Sequence, residues 1–162
     1  IIKNKETLLI DDFKFKCSVG KKGFSRNKKE GDLKSPRGIF KLGNIYYRKD
    51  RVKKPISKLE SFCIKKNMGW CDDPNSKYYN KLINIKKNSK ISYEKLFRKD
   101  NKYDLFILIK YNYNKIIKNR GSAIFLHLTK NYSSTKGCIA IKKKDFFILS
   151  KLISKKTKIK II

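Results

Sequence analysis

Gly121–Ile141, GSAIFLHLTKNYSSTKGCIAI, divides into an apolar run, a polar loop and a second apolar run. Ser122–Thr129 reads as a buried strand, Lys130–Lys136 as the loop, and Gly137–Ile141 as another strand. Successive strand residues face opposite sides. Ile124, Leu126 and Leu128 therefore share one face, and His127 lies on the other with Phe125 and Thr129. In the second strand Ile139 and Ile141 share a face, and Cys138 lies on the other. If the two strands pair, imidazole and thiol meet on one surface, turned away from an aliphatic row.

The same period-two pattern recurs outward along the chain. Thr7–Ile10 and Phe13–Val19 read as a strand pair joined at Asp11-Asp12, with Phe13, Phe15 and Cys17 alternating against Lys14, Lys16 and Ser18. A polar loop, Gly20 to Arg37, leads into a strand over Ile39–Tyr47. Lys81–Ile85 and Tyr103–Tyr111 are further strands, the second holding the near-continuous apolar run Leu105–Ile109 of a central strand. Asp145–Ile153 carries a helical apolar stripe, and Thr157–Ile162 closes as a strand. Strands dominate, so the expected fold is mostly β, a sandwich with one short C-terminal helix. With 162 residues, no repeats and no Pro/Gly-rich linker, residues 1–162 form a single domain.

The formal charge of +30 invites a nucleic-acid reading. The composition argues against it: six of the 43 basic residues are Arg and the rest are Lys, alongside 22 Ile and 13 Asn. An AT-rich coding sequence raises Lys, Ile and Asn together whatever the protein does, and planar recognition of bases or phosphate favours Arg. The charge predicts salt-sensitive attraction to anionic polymers, including those of a cell envelope, and no specific nucleic-acid partner. The stretch free of charge around Ile124–Leu128 is about half the roughly twenty apolar residues a spanning helix needs. The chain opens Ile1-Ile2 rather than with Met, so we expect its true start to lie upstream, with room for a secretory leader.

Four cysteines (17, 63, 71 and 138) contain no CxxC pair, and His127 is the one histidine, so no zinc spacing is present and no metal is expected. A Cys–His pair is the smallest machine for nucleophilic acyl transfer: imidazole draws off the proton and thiolate attacks. Gly137 beside Cys138 lets backbone N–H groups approach a reacting carbonyl and stabilise its oxyanion. The plainer alternative is that Cys138 is a small buried hydrophobe and His127 a structural histidine. Trp70-Cys71-Asp72-Asp73 reads as cleft wall or as packed loop, Glu30-Gly31-Asp32 as amine-orienting or as turn chemistry, and Lys142–Lys144 as a glycan contact or a solvated helix start.

Gly121–Ile141 resembles the catalytic motif of the L,D-transpeptidase (YkuD-like) family, a histidine followed after a loop by Ser/Thr-x-Gly-Cys: here His127, Thr135, Gly137 and Cys138. GKKGFSRNKKEGDLKSPRGIFKLG (20–43) and GWCDDPNSKYYNKL (69–82) resemble segments of a small bacterial branch of that family, so the likeness covers nearly the whole chain. It implies a β-rich catalytic domain acting on peptidoglycan stem peptides in the cell envelope or periplasm. Cys138 would attack the amide before the donor's terminal D-alanine and form a thioester, which an acceptor amine resolves to a cross-link. His127 would serve as base and then acid, the Gly137 and Cys138 N–H groups as oxyanion donors, and Thr135 as the shaper of the turn. No metal or organic cofactor is implied.

Two positions depart from the family pattern. Lys136 stands where many members have His, and Ala140 where many have Arg two residues after the cysteine. Arg37 and Arg120 are the candidates to replace that anchor, and Trp70 is a candidate for the cleft wall. Two other readings stay open: a carboxypeptidase-type hydrolase built on the same dyad, and a non-catalytic basic module binding nucleic acid or an anionic envelope polymer.

Overall fold

The computed structural model describes residues 1–85 and 90–162. Its strands, in chain order, are β1 (Ile2–Lys3), β2 (Thr7–Ile10), β3 (Phe13–Ser18), β4 (Phe24–Ser25), β5 (Ser35–Pro36), β6 (Gly38–Tyr47) and β7 (Ser61–Cys63). They continue with β8 (Met68–Cys71), β9 (Leu82–Asn84), β10 (Tyr93–Lys95), β11 (Leu105–Ile109), β12 (Phe125–Leu128), β13 (Ile139–Ile141) and β14 (Lys158–Ile161). Helix α1 (Lys143–Leu152) lies between the last two.

Pairing follows the order β11-β12-β13-β3-β2-β1-β14-β6-β7, and β6 also pairs back onto β11. The chain is therefore a two-sheet sandwich whose sheets share strands. β6 turns one corner because it is long enough to do so: residues 38–41 pair with β14, and Leu42–Tyr47 pair with β11. β3 turns the other, pairing with β2 along its length and with β13 through Cys17 and Ser18. Strands that switch sheets are how such sandwiches make corners. The Asp11-Asp12 connection is a two-residue hairpin with Ile10 opposite Phe13 and Asp11 at φ 46°, the left-handed backbone such tight hairpins require.

The inward faces bury a largely aliphatic cluster that includes Ile2, Phe15, Ile45, Ile107, Leu126 and Ile139. Helix α1 adds Phe146 and Leu149 to it, and Asp145 in its first turn and Lys151 in its last complement the helix dipole. The outer face of β11 and β12 is covered by a small sheet, β10-β8-β9. Trp70, Leu96, Tyr103, Phe106, Phe125 and Cys138 form a second, more aromatic cluster there. The alternation in Phe125–Leu128 thus sorts its residues between two separate cores.

Both strands of the 121–141 segment are shorter than the sequence suggests. β12 begins at Phe125 because Gly121 (φ 93°) and Ala123 (φ 51°) are left-handed, and β13 begins at Ile139 because Gly137 sits at φ 147°. Trp70 and Cys71 belong to strand β8 rather than to a loop, and the polar loop after Gly20 contains the short β4–β5 pair. Among the described residues, no helix is long and apolar enough to cross a membrane.

Candidate active site

β12 and β13 pair in parallel, with Leu126 opposite Ile139 and His127 opposite Ala140. Cys138 precedes Ile139, so it sits diagonally behind His127 on the same face of the sheet. Diagonal neighbours of this kind lie roughly 7–8 Å apart at the backbone, within reach of an aromatic side chain. Cys138 and His127 both line one cavity of about 630 Å³.

The Cys138 thiol donates to the Ala123 carbonyl at 3.2 Å and accepts from the Phe125 N–H at 3.4 Å. It is 8% exposed. Burial, reinforced by the negative charge of Glu94, pushes its pKa up to about 12. At neutral pH the thiol is therefore protonated. His127 Nδ1 pairs with the Leu128 carbonyl at 2.9 Å. A carbonyl only accepts, so Nδ1 carries the proton and Nε2 is left with its lone pair. Burial lowers the His127 pKa to about 4, which keeps that lone pair available at neutral pH. The resting pair is a neutral thiol and a neutral imidazole, each held by backbone rather than by the other.

Tyr103 joins the two. Its ring stands edge-on to His127 with centroids 5.3 Å apart, and its hydroxyl interacts with both Cys138 and Glu94. Burial first, and then the neighbouring Cys138 and Glu94, hold its phenol well above the usual range. Burial also raises the Glu94 carboxyl. Neither residue stands out in the sequence; Tyr103 precedes β11 and Glu94 belongs to β10, and only the packing of the small sheet on the outer face brings them to the cysteine.

The turn that presents Cys138 is fastened from two sides. Thr135 Oγ1 accepts from the Gly137 N–H at 3.1 Å and donates to the Cys138 carbonyl at 2.6 Å. Ser35 Oγ donates to the Gly137 carbonyl at 2.7 Å and accepts from the Gly20 N–H at 2.9 Å. Thr135 thus shapes the turn, but it also occupies the Gly137 N–H that the resemblance offers as an oxyanion donor. A side chain at Gly137 would stand 2.8 Å from the Lys34 carbonyl oxygen, so only glycine fits that close approach.

The three proposed substrate contacts lie outside the cavity lining. Arg37 is exposed and reaches over the Phe24 ring instead. Arg120 is exposed, and its carbonyl accepts from Tyr111. Trp70 is 1% exposed, packed edge-on against Phe125, with its indole N–H donating to Asn80 Oδ1 at 2.9 Å; it supports the cluster behind Cys138. The acidic neighbours fare differently, since Asp72 and Glu30 do line the cavity. All four cysteines are free thiols.

The family model described as YkuD, L,D-transpeptidase catalytic domain, matches residues 3–161. No curated protein and no solved structure gives a significant match.

Proposed function

The chain belongs to the YkuD family of L,D-transpeptidase catalytic domains, and from that premise we propose that it transfers the acyl group of a peptidoglycan stem peptide through a thioester on Cys138. The observation that carries this reading is the shared cavity of Cys138 and His127, with the imidazole tautomer set by Leu128 so that Nε2 is free to accept a proton.

The steps follow from the resting state. Cys138 is held as a thiol by burial and by the Ala123 carbonyl. When a donor amide enters, the thiol proton passes to His127 Nε2 as sulfur bonds to the carbonyl carbon. The Cys138 N–H serves as the oxyanion donor, because the Gly137 N–H is already bonded to Thr135. Collapse of the tetrahedral adduct breaks the C–N bond, and imidazolium returns the proton to the departing amine of D-alanine. An acceptor amine then attacks the thioester, His127 takes its proton, and the thiol is restored. Such substrates lie in the cell envelope, and that is where we place the activity.

Incubation with purified stem tetrapeptides, with and without an acceptor stem, tests this by the masses of the products. Cross-linked dimer is the expected product, with tripeptide and free alanine formed when water replaces the acceptor. Tripeptide alone in the presence of acceptor would instead make the protein a hydrolase, and no conversion of any stem would overturn the proposal.

A further inference from the structure

Among the described residues, two buried side-chain oxygens make no hydrogen bond, those of Ser18 and Ser122. An unbonded hydroxyl shut away from water is costly and calls for an explanation. Ser122 lines the cavity of Cys138 and His127, one residue before the Ala123 carbonyl that holds the thiol, and it is 6% exposed. The Tyr79 hydroxyl lies beside it, but that hydroxyl already donates to Glu30 and accepts from the Gly121 N–H.

Lys28 lines the same cavity and is 3% exposed. Its stem crosses Gly121, where an added Cβ would stand 2.8 Å from Cε, and its ammonium reaches within 3.5 Å of where a Cβ on Gly137 would stand. An ammonium has three protons to donate. Asp32 takes one at 2.6 Å and the Lys29 carbonyl another at 3.3 Å. The cavity's other cations, Arg98, Lys102, Lys130 and Lys136, are partly or fully exposed, and Arg98 is also paired with Asp100 at 2.6 Å. A charge screened from water acts more strongly on a bound anion than one at the rim.

We propose that the Lys28 ammonium and the Ser122 hydroxyl hold the terminal carboxylate of the acyl donor beside Cys138. This rests on the acyl-transfer reading, in which the attacked amide belongs to a C-terminal residue. Its carboxylate then lies within one residue's reach, at most about 3.6 Å, of the scissile bond. Lys28 beside Gly137 and Ser122 beside Ala123 flank the two backbone segments that hold the thiol. They supply what Arg37 and Arg120, outside the cavity, do not.

Alkylation of Cys138 by iodoacetate and by iodoacetamide, read by peptide mapping, tests the cradle without peptide turnover, because the reagents differ in carboxylate against amide. The iodoacetate-to-iodoacetamide rate ratio should fall about tenfold in Lys28→Met and about fivefold in Ser122→Ala, and Lys28→Arg should retain most of it. Ser122→Ala removes a single hydroxyl and no charge, so it carries the test even where Lys28→Met fails to fold. An unchanged ratio in folded Ser122→Ala, or an equal fall in both rates, would overturn the proposal. With stem tetrapeptide as donor, the same variants should raise KM, and should raise it less for donors with an amidated C-terminus. Absence of turnover by the parent protein would sink the acyl-transfer reading, and the alkylation ratio would still judge the cradle.

Discussion

The Cys138 thiol gives its hydrogen bond to the Ala123 carbonyl, 3.2 Å away, and Ala123 can aim that carbonyl only because its backbone is left-handed, at φ 51°. For an L-residue this conformation costs roughly 1–2 kcal/mol, and a β-branched side chain makes it worse. Ala123→Val should destabilise the protein by about 2 kcal/mol or more and slow acylation of Cys138, whereas Ala123→Gly should fold normally. Urea unfolding of the two variants checks the first part. Equal stability would mean that the left-handed turn is absent.

With His127 as the proposed base, its titration sets the acid side of the pH profile. Its folded pKa is lowered to about 4 by burial, from an ordinary value of 6.5. The imidazole therefore stays neutral, and able to accept the thiol proton, well below pH 6. The acidic limb of kcat/KM should fall near pH 4 rather than near 6.5. Stability has the same sign. The unfolded chain binds this proton first as pH falls, so stability present above 6.5 is lost progressively down to about 4, on the order of 3 kcal/mol in all. Unfolding measured against pH in His127→Gln should lack that loss. A parent protein whose activity halves near 6.5 would show that the imidazole is solvated.

Gly137 is the tightest point of the turn that presents Cys138. An alanine there would press its Cβ to 2.8 Å from the Lys34 carbonyl oxygen at φ 147°. Because the obstacle is backbone, Gly137→Ala should cost roughly 1–3 kcal/mol and reduce acylation even where the protein remains folded. Denaturation and thiol-labelling rates together separate the two effects.

Parts of this arrangement could be read from the sequence, and the reasons differ by residue. Leu126 and Leu128 against His127 is a period-two signal, and it survives intact because each face of β12 meets its own core. The true strand start at Phe125 has no such mark, since alanine gives no hint of a left-handed turn. Trp70 looks like a cleft residue next to Asp72-Asp73, but Met-Gly-Trp-Cys has no alternation to betray strand β8. Lys28 is hidden among 37 lysines; only tertiary packing against Gly121 distinguishes it. Tyr103 and Glu94 come together with Cys138 across separate strands, a relation no local pattern encodes.

The positive charge should act without sequence preference. Duplex DNA is expected to bind weakly at physiological salt, with no selectivity, and affinity should drop by roughly a thousandfold between about 50 and about 200 mM salt if six or more phosphates are contacted. Titration of unrelated duplexes at several salt concentrations measures this. Tight, sequence-selective binding at physiological salt would support the basic-module reading instead.

In the proposed reaction Cys138 carries the acyl group while His127 moves its proton. Its most direct measurement is the intact mass of the protein quenched in acid during turnover of a stem tetrapeptide, with the modified residue located by peptide mapping. One tripeptidyl thioester is expected, on Cys138 and on none of Cys17, Cys63 or Cys71. Cys138→Ala should give no adduct and no turnover, and His127→Ala should form the adduct about a hundredfold or more slowly. Turnover by folded Cys138→Ala, or acylation of His127→Ala at the parent rate, would contradict the proposed reaction.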